Sequence, residues 1–328
     1  MQIGNAYRNN NAGRVGNNPS GLSSKEKVVA TGAAGMSYKE KAQWRRELME
    51  KKKRQIDTVL EELKSGIKAV FSSDLYTQYL STMARFHSYS VNNILLIAMQ
   101  RPDATLVASL KTWNSMKRYV KKGEKGIRIL VPTPVRIRKD DEEDEEKMLM
   151  RFKVGHMFDL AQTDGEPLPS LGIHELNQDC SRYQDILNAV IRIAPVPVRF
   201  DEISGSAKGY FSPNSEEIVI RKGMGELQTV KTAIHELCHS ILHNKERMKE
   251  KKKSRETMEV EAESCAFVIL KALDETMDTS EYSFGYVASW SGGREMKELM
   301  ASLNTIRDTS REILEQLEDQ PGVKGATA

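Results

Sequence analysis

The sequence predicts an α+β fold in which the strands cluster and helices precede and follow them. Three observations carry that reading. Apolar residues recur at helical spacing over long stretches near both ends of the chain. Short β-rich runs fall into two groups instead of alternating with helices. The length, 328 residues, accommodates about two domains at roughly 150 residues each. With 39% hydrophobic and 29% charged residues, a sizeable core is available, which excludes a wholly disordered or fibrous chain.

Residues 1–37, rich in Gly, Asn and Ser, read as a disordered tail. From Tyr38 the pattern changes: Leu48, Ile56, Val59, Leu60, Leu63, Ile67, Val70 and Phe71 predict a first helix, and SVNNILLIAMQ (residues 90–100) a second that stops at Arg101-Pro102. The runs TLVAS and IRILVP predict strands, and KMLMRFKVGHMFDL alternates well enough to pair with IRILVP across the acidic run DDEEDEE, read as a solvated loop. Pro167, Pro169 and Gly172 mark a boundary. The first domain, 38–166, is then a helix pair with a small antiparallel sheet. The second, 173–318, holds a helix over 181–193, the strand PVRF, a hairpin from Gly209 to Ile220, and helices over 226–244, 254–273 and 294–317 around a small mixed sheet. Lys249 to Lys253 read as another solvated loop, and 319–328 as a flexible C-terminal tail.

Three cysteines, Cys180, Cys238 and Cys265, are too few for a disulfide framework or a four-cysteine zinc site and favour a reducing compartment. No run of about 18 apolar residues exists and no signal-peptide core is seen, so the expectation is a soluble cytoplasmic protein without a membrane partner. Nothing in the sequence sets an oligomeric state. The net charge of +3 conceals an asymmetry: +3 over 1–37, +11 over 38–136, −5 over 137–200 and −6 over 201–328. A basic front half and an acidic back half suggest modules with different partners.

The sharpest motif is His235-Glu236-Leu237-Cys238-His239, an HExxH on a helical stripe formed by Leu227, Val230, Ile234, Leu237, Cys238 and Ile241. Histidines four positions apart lie about 40° apart on the helical wheel, so both imidazoles can reach one Zn²⁺. Glu236 then sits where it can act as general base toward a water at the metal. A metzincin would place a glycine at 242 and a third histidine at 245; these are Leu242 and Lys245, which excludes that class. The following helix offers Glu256, Glu259, Glu261 and Glu263. Relative to the stripe Ala262, Cys265, Ala266, Ile269, Leu270 and Leu273, Glu259 lies about 50° from the centre, Glu263 about 90°, and Glu256 and Glu261 about 110°. Glu259 is the carboxylate aimed most nearly inward; Glu263 can accept a hydrogen bond from a ligating histidine, and remains an alternative ligand. His243 reads as a satisfied histidine at the helix end rather than a fourth ligand, and Cys238 and Cys265 as core residues. His174-Glu175 lacks a histidine at 178, which is Gln178, and is a decoy. Tyr210 and Tyr286 are candidates for stabilising an oxyanion.

Residues 111–128 hold seven basic residues, Lys111, Lys117, Arg118, Lys121, Lys122, Lys125 and Arg128, with Trp113 and Tyr119 interleaved. Cations track a phosphate backbone, aromatic faces stack on unpaired bases, and the Gly123–Gly126 turn admits a phosphate close to the main chain. A solvated basic face with core aromatics accounts for the same letters equally well.

Two resemblances add to this. Glu259-Val-Glu-Ala-Glu263-Ser-Cys-Ala266 after HELCH resembles the HExxH…ExxA(D/N)xxA arrangement of gluzincin-type metallopeptidases, with Glu263 where Asp or Asn is usual. The twenty positions from His239 to Glu259 are similar to the spacing in thermolysin-like members. This resemblance implies Zn²⁺ held by His235, His239 and Glu259, with Glu236 as general base in peptide hydrolysis. Phe86-His-Ser-Tyr89-Ser-Val-Asn-Asn93, Pro102-Asp-Ala-Thr105, Trp113, Val120-Lys-Lys-Gly-Glu-Lys-Gly-Ile127, Pro132 and Phe158-Asp-Leu-Ala-Gln-Thr-Asp-Gly165 resemble the N-terminal single-stranded-DNA-binding domain of ArdC-type antirestriction proteins of conjugative plasmids and related mobile elements. That family carries a C-terminal zincin-like domain, whose ending Tyr286-Val-Ala-Ser-Trp290 and the long helix after it resemble. The family implies single-stranded DNA and a protein substrate as partners, and protection of incoming DNA during transfer. The alternatives are a DNA-localised protease and a non-catalytic DNA-binding protein with structural zinc; the intact Glu236 argues against the latter.

Overall fold

The computed structural model describes residues 36–323 except 72, 138–146, 169–179, 251, 278, 280, 281 and 283. Outside the described residues lie nearly all of the expected N-terminal tail, the acidic loop, Pro169 and Gly172 of the expected boundary, His174 to Gln178, and residues 324–328. The elements in chain order are α1 (Tyr38–Val70), α2 (Ser73–Phe86), α3 (Val91–Gln100), β1 (Val107–Ser109), α4 (Leu110–Ser115), β2 (Arg118–Val120), β3 (Ile127–Ile137), β4 (Lys147–Asp159), β5 (Thr163–Gly165), α5 (Cys180–Ile193), β6 (Val198–Asp201), β7 (Gly209–Ser212), β8 (Glu217–Arg221), α6 (Glu226–Leu242), α7 (Lys245–Glu250), α8 (Arg255–Leu273), α9 (Val287–Ser291) and α10 (Met296–Glu318). The fold is α+β, as expected.

Contacts divide the chain into two units. One takes in the chain up to Glu62 together with Leu130–Gly155. The other takes in Leu63–Ile129 and everything from His156 on. In the first unit, α1 starts where Ser37 and Glu40 reciprocate: the Ser37 N–H donates to the Glu40 carboxylate at 2.7 Å and the Glu40 N–H to the Ser37 hydroxyl at 3.4 Å, a capping box.

Among the described residues there are three sheets. β4 lies between β1 and β3, so the expected pairing of IRILVP with KMLMRFKVGHMFDL is present. Most residues of β3 and β4 belong to the first unit, while β1 and the Met157–Asp159 end of β4 that it pairs with belong to the second. β2 and β5 form an antiparallel pair. β8 is flanked by β6, parallel, and β7, antiparallel, which is the expected mixed sheet. Three helices precede the strands, where the sequence reading gave two. The added one, α2, buries Tyr76, Tyr79, Leu80 and Met83 along one face.

The core of the second unit is built around α8. Helices α2, α6, α9 and α10 all pack on it. The Tyr76 hydroxyl meets the Ser264 hydroxyl at 2.8 Å in the buried interface of α2 and α8, and Phe267 stacks edge-on against Phe284 and Tyr282. Such a helix is buried nearly all round: Val260 to Ala262 and Ser264 to Leu270 are inaccessible. The single inward stripe read from the sequence is therefore corrected. Glu261, placed at the far side of the wheel, is 1% exposed, because α10 covers the face that the stripe left to solvent. Cys238 and Cys265 are core residues, as expected.

Candidate metal centre

Helix α6 packs its Val230, Ile234, Leu237 and Cys238 side against the core, which fixes its rotation and leaves His235 and His239 on the side facing α8. Their Nε2 atoms are 3.1 Å apart with the rings edge to face. Glu259, in the second turn of α8, brings Oε2 to 3.7 Å from Nε2 of His235 and 3.6 Å from Nε2 of His239. Donors around a tetrahedral Zn²⁺ with bonds of about 2.0–2.1 Å lie roughly 3.4 Å from one another, so the spacing of these three fits one divalent ion. Among the described residues this is the group of three side chains placed to hold a metal. The two imidazoles hold the Glu259 carboxyl well below the usual carboxylate range. Burial pushes His235 down, but Glu259 and the nearby Glu236 and Glu263 outweigh it, and its pKa lies above the ordinary value.

Glu236 is 7% exposed. Burial raises its pKa, opposed by the neighbouring histidines and by the backbone N–H of Phe211, which donates to its carboxylate. Strand β7 comes this close because residue 209 is glycine: a Cβ there would lie 2.6 Å from Cγ2 of Thr232 and 3.3 Å from Cγ of Glu236. An open cleft of about 330 Å³ is lined by Lys208, Lys231, His235, Glu236, Glu263 and Tyr282. The Glu263 carboxylate accepts a hydrogen bond from the Tyr286 hydroxyl, and burial raises its pKa. Glu263 thus stands beside the trio with a tyrosine as its partner, and Tyr286 is engaged by it. Tyr210 is 41% exposed on β7.

Sequence reasoning left His243 as a satisfied histidine, and it is one: it is 4% exposed and its Nδ1 lies 2.9 Å from Nδ1 of His239. Lys253, read as part of a solvated loop, reaches the buried Glu261 carboxylate at 2.5 Å. The sequence carries no signal that singles out this pair, since Glu261 is one of four glutamates on α8 and Lys253 one of several lysines before it.

The basic segment divides by environment. Lys111, Lys117, Lys121, Lys122, Lys125 and Tyr119 are exposed, Tyr119 by 61%. Trp113 is a correction: it is 0% exposed and its Nε1–H donates to the Phe158 carbonyl at 2.8 Å, so its ring is part of the core and offers no stacking face. Arg118 is committed to Thr163 and Glu166 through three hydrogen bonds of 2.6–3.0 Å, and Arg128 is tied to Gln100. Lys117 pairs with Glu166 and Lys121 with the Ala161 carbonyl. The turn that presents Lys122 and Lys125 is anchored from within. Gln162 donates to the Glu124 carboxylate at 2.8 Å and the Lys125 carbonyl at 2.9 Å, and Gly123 supplies the φ of +92° that the turn requires. Asp159, 1% exposed, caps the Leu160–Gln162 turn and accepts from the Thr105 and Leu106 amides.

Residues 49–158 match the family described as the N-terminal domain of anti-restriction factor ArdC. That segment is an ArdC-type N-terminal domain. The anchoring residues Asp159 and Gln162 follow directly on that matched segment. Over 318 residues the chain is 25% identical to an uncharacterized protein of Bacillus anthracis. The match covers 83% of the chain and 52% of the relative, so the chain spans about half the length of that curated protein. The metal-free crystal structure of antirestriction ArdC protein from plasmid R388 is 18% identical, with a TM-score of 0.50 over 71% of this chain and 86% of that one; the two share a fold. The Mn(II)-bound structure of the same R388 protein aligns with a TM-score of 0.45 at 16% identity, over 72% of this chain and 86% of that one.

Proposed function

We propose that this chain is an ArdC-type antirestriction protein of a mobile element that binds single-stranded DNA through its first module and carries a zinc peptidase centre in its second. The observation that supports the reading best is the convergence of His235, His239 and Glu259 beside a buried Glu236 at the wall of an open cleft. Two neutral imidazoles and a carboxylate suit Zn²⁺, and three protein donors leave a position open. A divalent ion held there supplies the positive charge that polarises a carbonyl and makes water a stronger acid. Glu236, with its pKa raised by burial and its carboxylate steered by the Phe211 amide, takes the proton from an attacking water and returns it to the leaving amine. Glu263 lines the cleft beside Glu236, and the Tyr286 hydroxyl holds its carboxylate. On the other module, the anchored turn with Lys122 and Lys125, the neighbouring Lys111, Lys117 and Lys121, and the exposed ring of Tyr119 make a surface that can track phosphates and stack one base.

Metal analysis of the purified protein beside His235→Ala, Glu259→Ala and Glu236→Gln tests the reading. One zinc per chain is expected in the wild type and in Glu236→Gln, and none in the other two. Glu236→Gln is expected to lose peptide cleavage by about 10²–10⁴-fold. Stoichiometric zinc in Glu259→Ala would transfer the third ligand to Glu263, and undiminished cleavage by Glu236→Gln would overturn the catalytic assignment.

A further inference from the structure

His239 has a second nitrogen, and what stands behind it is unusually well defined. Its Nδ1 lies 2.9 Å from Nδ1 of His243. Nε2 of His243 in turn lies 3.4 Å from Oε2 of Glu261. Glu261 is 1% exposed, with Lys253 Nζ at 2.5 Å on Oε2 and the Ser302 hydroxyl at 3.0 Å on Oε1. Four elements, α6, the segment before α8, α8 itself and α10, thus converge on one enclosed carboxylate.

Two imidazole nitrogens in hydrogen-bond contact share one proton, so the chain can run in only two directions. If His243 donated to His239, the proton of His239 would sit on Nε2, facing His235 Nε2 at 3.1 Å, where it blocks ligation. The unprotonated Nε2 of His243 would then confront the Glu261 carboxylate, lone pair against negative charge. In the other direction every group is matched. His239 donates from Nδ1, His243 accepts on Nδ1 and donates from Nε2, and Glu261 accepts. Only this direction leaves the Nε2 lone pair of His239 free toward His235 and Glu259.

We infer that His243 and Glu261 are positioning residues, a buried relay that fixes His239 in its Nδ1–H tautomer and holds the ring on the metal position. The inference rests on the metal reading above. It differs from a histidine that merely fills a helix end, because it assigns a proton to a stated atom before any ion arrives. Groups that orient a ligating imidazole typically contribute about 10- to 100-fold in metal affinity.

Nitrogen-15 NMR of the histidine rings in the metal-free protein reads the tautomer directly. The Nδ1–H form of His239 is expected in the wild type and a tautomer mixture in His243→Leu. Zn²⁺ titration of the same samples should show binding weakened about 10- to 100-fold in His243→Leu, and partly recovered in His243→Asn, whose amide oxygen can still accept from His239. Should His243→Leu fail to fold, Glu261→Gln tests the same link, because a neutral amide no longer enforces the direction of the chain, and the mixture should reappear there. An Nε2–H form of His239 in the wild type, or undiminished Zn²⁺ affinity in a folded His243→Leu, would overturn the relay. A wild type that binds no Zn²⁺ but shows the Nδ1–H tautomer would instead sink the metal reading and leave the relay standing.

Discussion

Trp113 and Tyr119 stand six positions apart in one basic segment and do opposite work. Trp113 is sealed in the core with its indole N–H satisfied by Phe158, so Trp113→Ala is expected to cost about 3–5 kcal/mol of stability, read as the shift in a urea unfolding curve. Tyr119→Ala should leave that curve in place and weaken single-stranded DNA binding by about 1–3 kcal/mol, read by fluorescence anisotropy. His87 offers a second test at this scale. Burial lowers its pKa below the ordinary histidine value, and its Nδ1 finds no hydrogen-bond partner. Because the folded-state pKa is depressed, its contribution to stability is complete above the unfolded value, about 6.5, and falls away as pH drops below it and the unfolded chain takes up the proton first. Unfolding midpoints measured from pH 7.5 down to 5 should decline less steeply in His87→Gln than in the wild type; parallel declines would refute this.

Among the elements, α6 was legible and α8 was not. The HExxH residues sit on a helix whose apolar stripe fixes one rotation, so counting at 100° per residue found His235, His239 and the Glu236 between them. The same counting chose Glu259, and geometry puts Glu259 at the trio, yet the reason given for it fails. Glu259 is 44% exposed at its side chain while Glu261 is buried, because α8 has neighbours on several sides and no single stripe describes it. A helix wheel reads one interface, and a central helix has several. Trp113 was misread for a related reason: composition shows that a basic segment contains an aromatic ring but not which side of the chain that ring faces. The close approach of β7 to α6 was invisible in sequence, since Gly209 carries no signal until its neighbours are known. Gly209→Ala should push β7 away from Thr232 and Glu236 and cost about 1–3 kcal/mol, with cleavage falling more than zinc content does. Equal thermal unfolding of variant and wild type would count against the contact.

At the level of the whole molecule, α2 of the proposed module 38–166 packs on α8 of the proposed module 173–318. Within the larger unit, Tyr76 of α2 meets Ser264 of α8, and Arg85 pairs with Glu275 at 3.5 Å. A protease site introduced at position 170 and then cut should therefore nick the protein without separating it, the two pieces eluting together in gel filtration. Separate elution of two folded pieces would show the modules to be independent. The +11 charge of the front segment should make DNA binding steeply salt-dependent, with a log–log slope of about −0.7 per phosphate neutralised, measured between 50 and 200 mM salt.

Helix α8 carries Glu259 in its second turn and Ser264 five residues on, one facing the candidate ion and the other holding α2. Anything that binds the folded state alone stabilises it, by about 2.7 kcal/mol at a hundredfold excess over Kd. Through this one helix an ion at the trio would brace α2 as well as its own site. Chelation would then be felt at a distance, as faster hydrogen exchange in the α2 amides, making metal supply a lever on a helix that touches no metal.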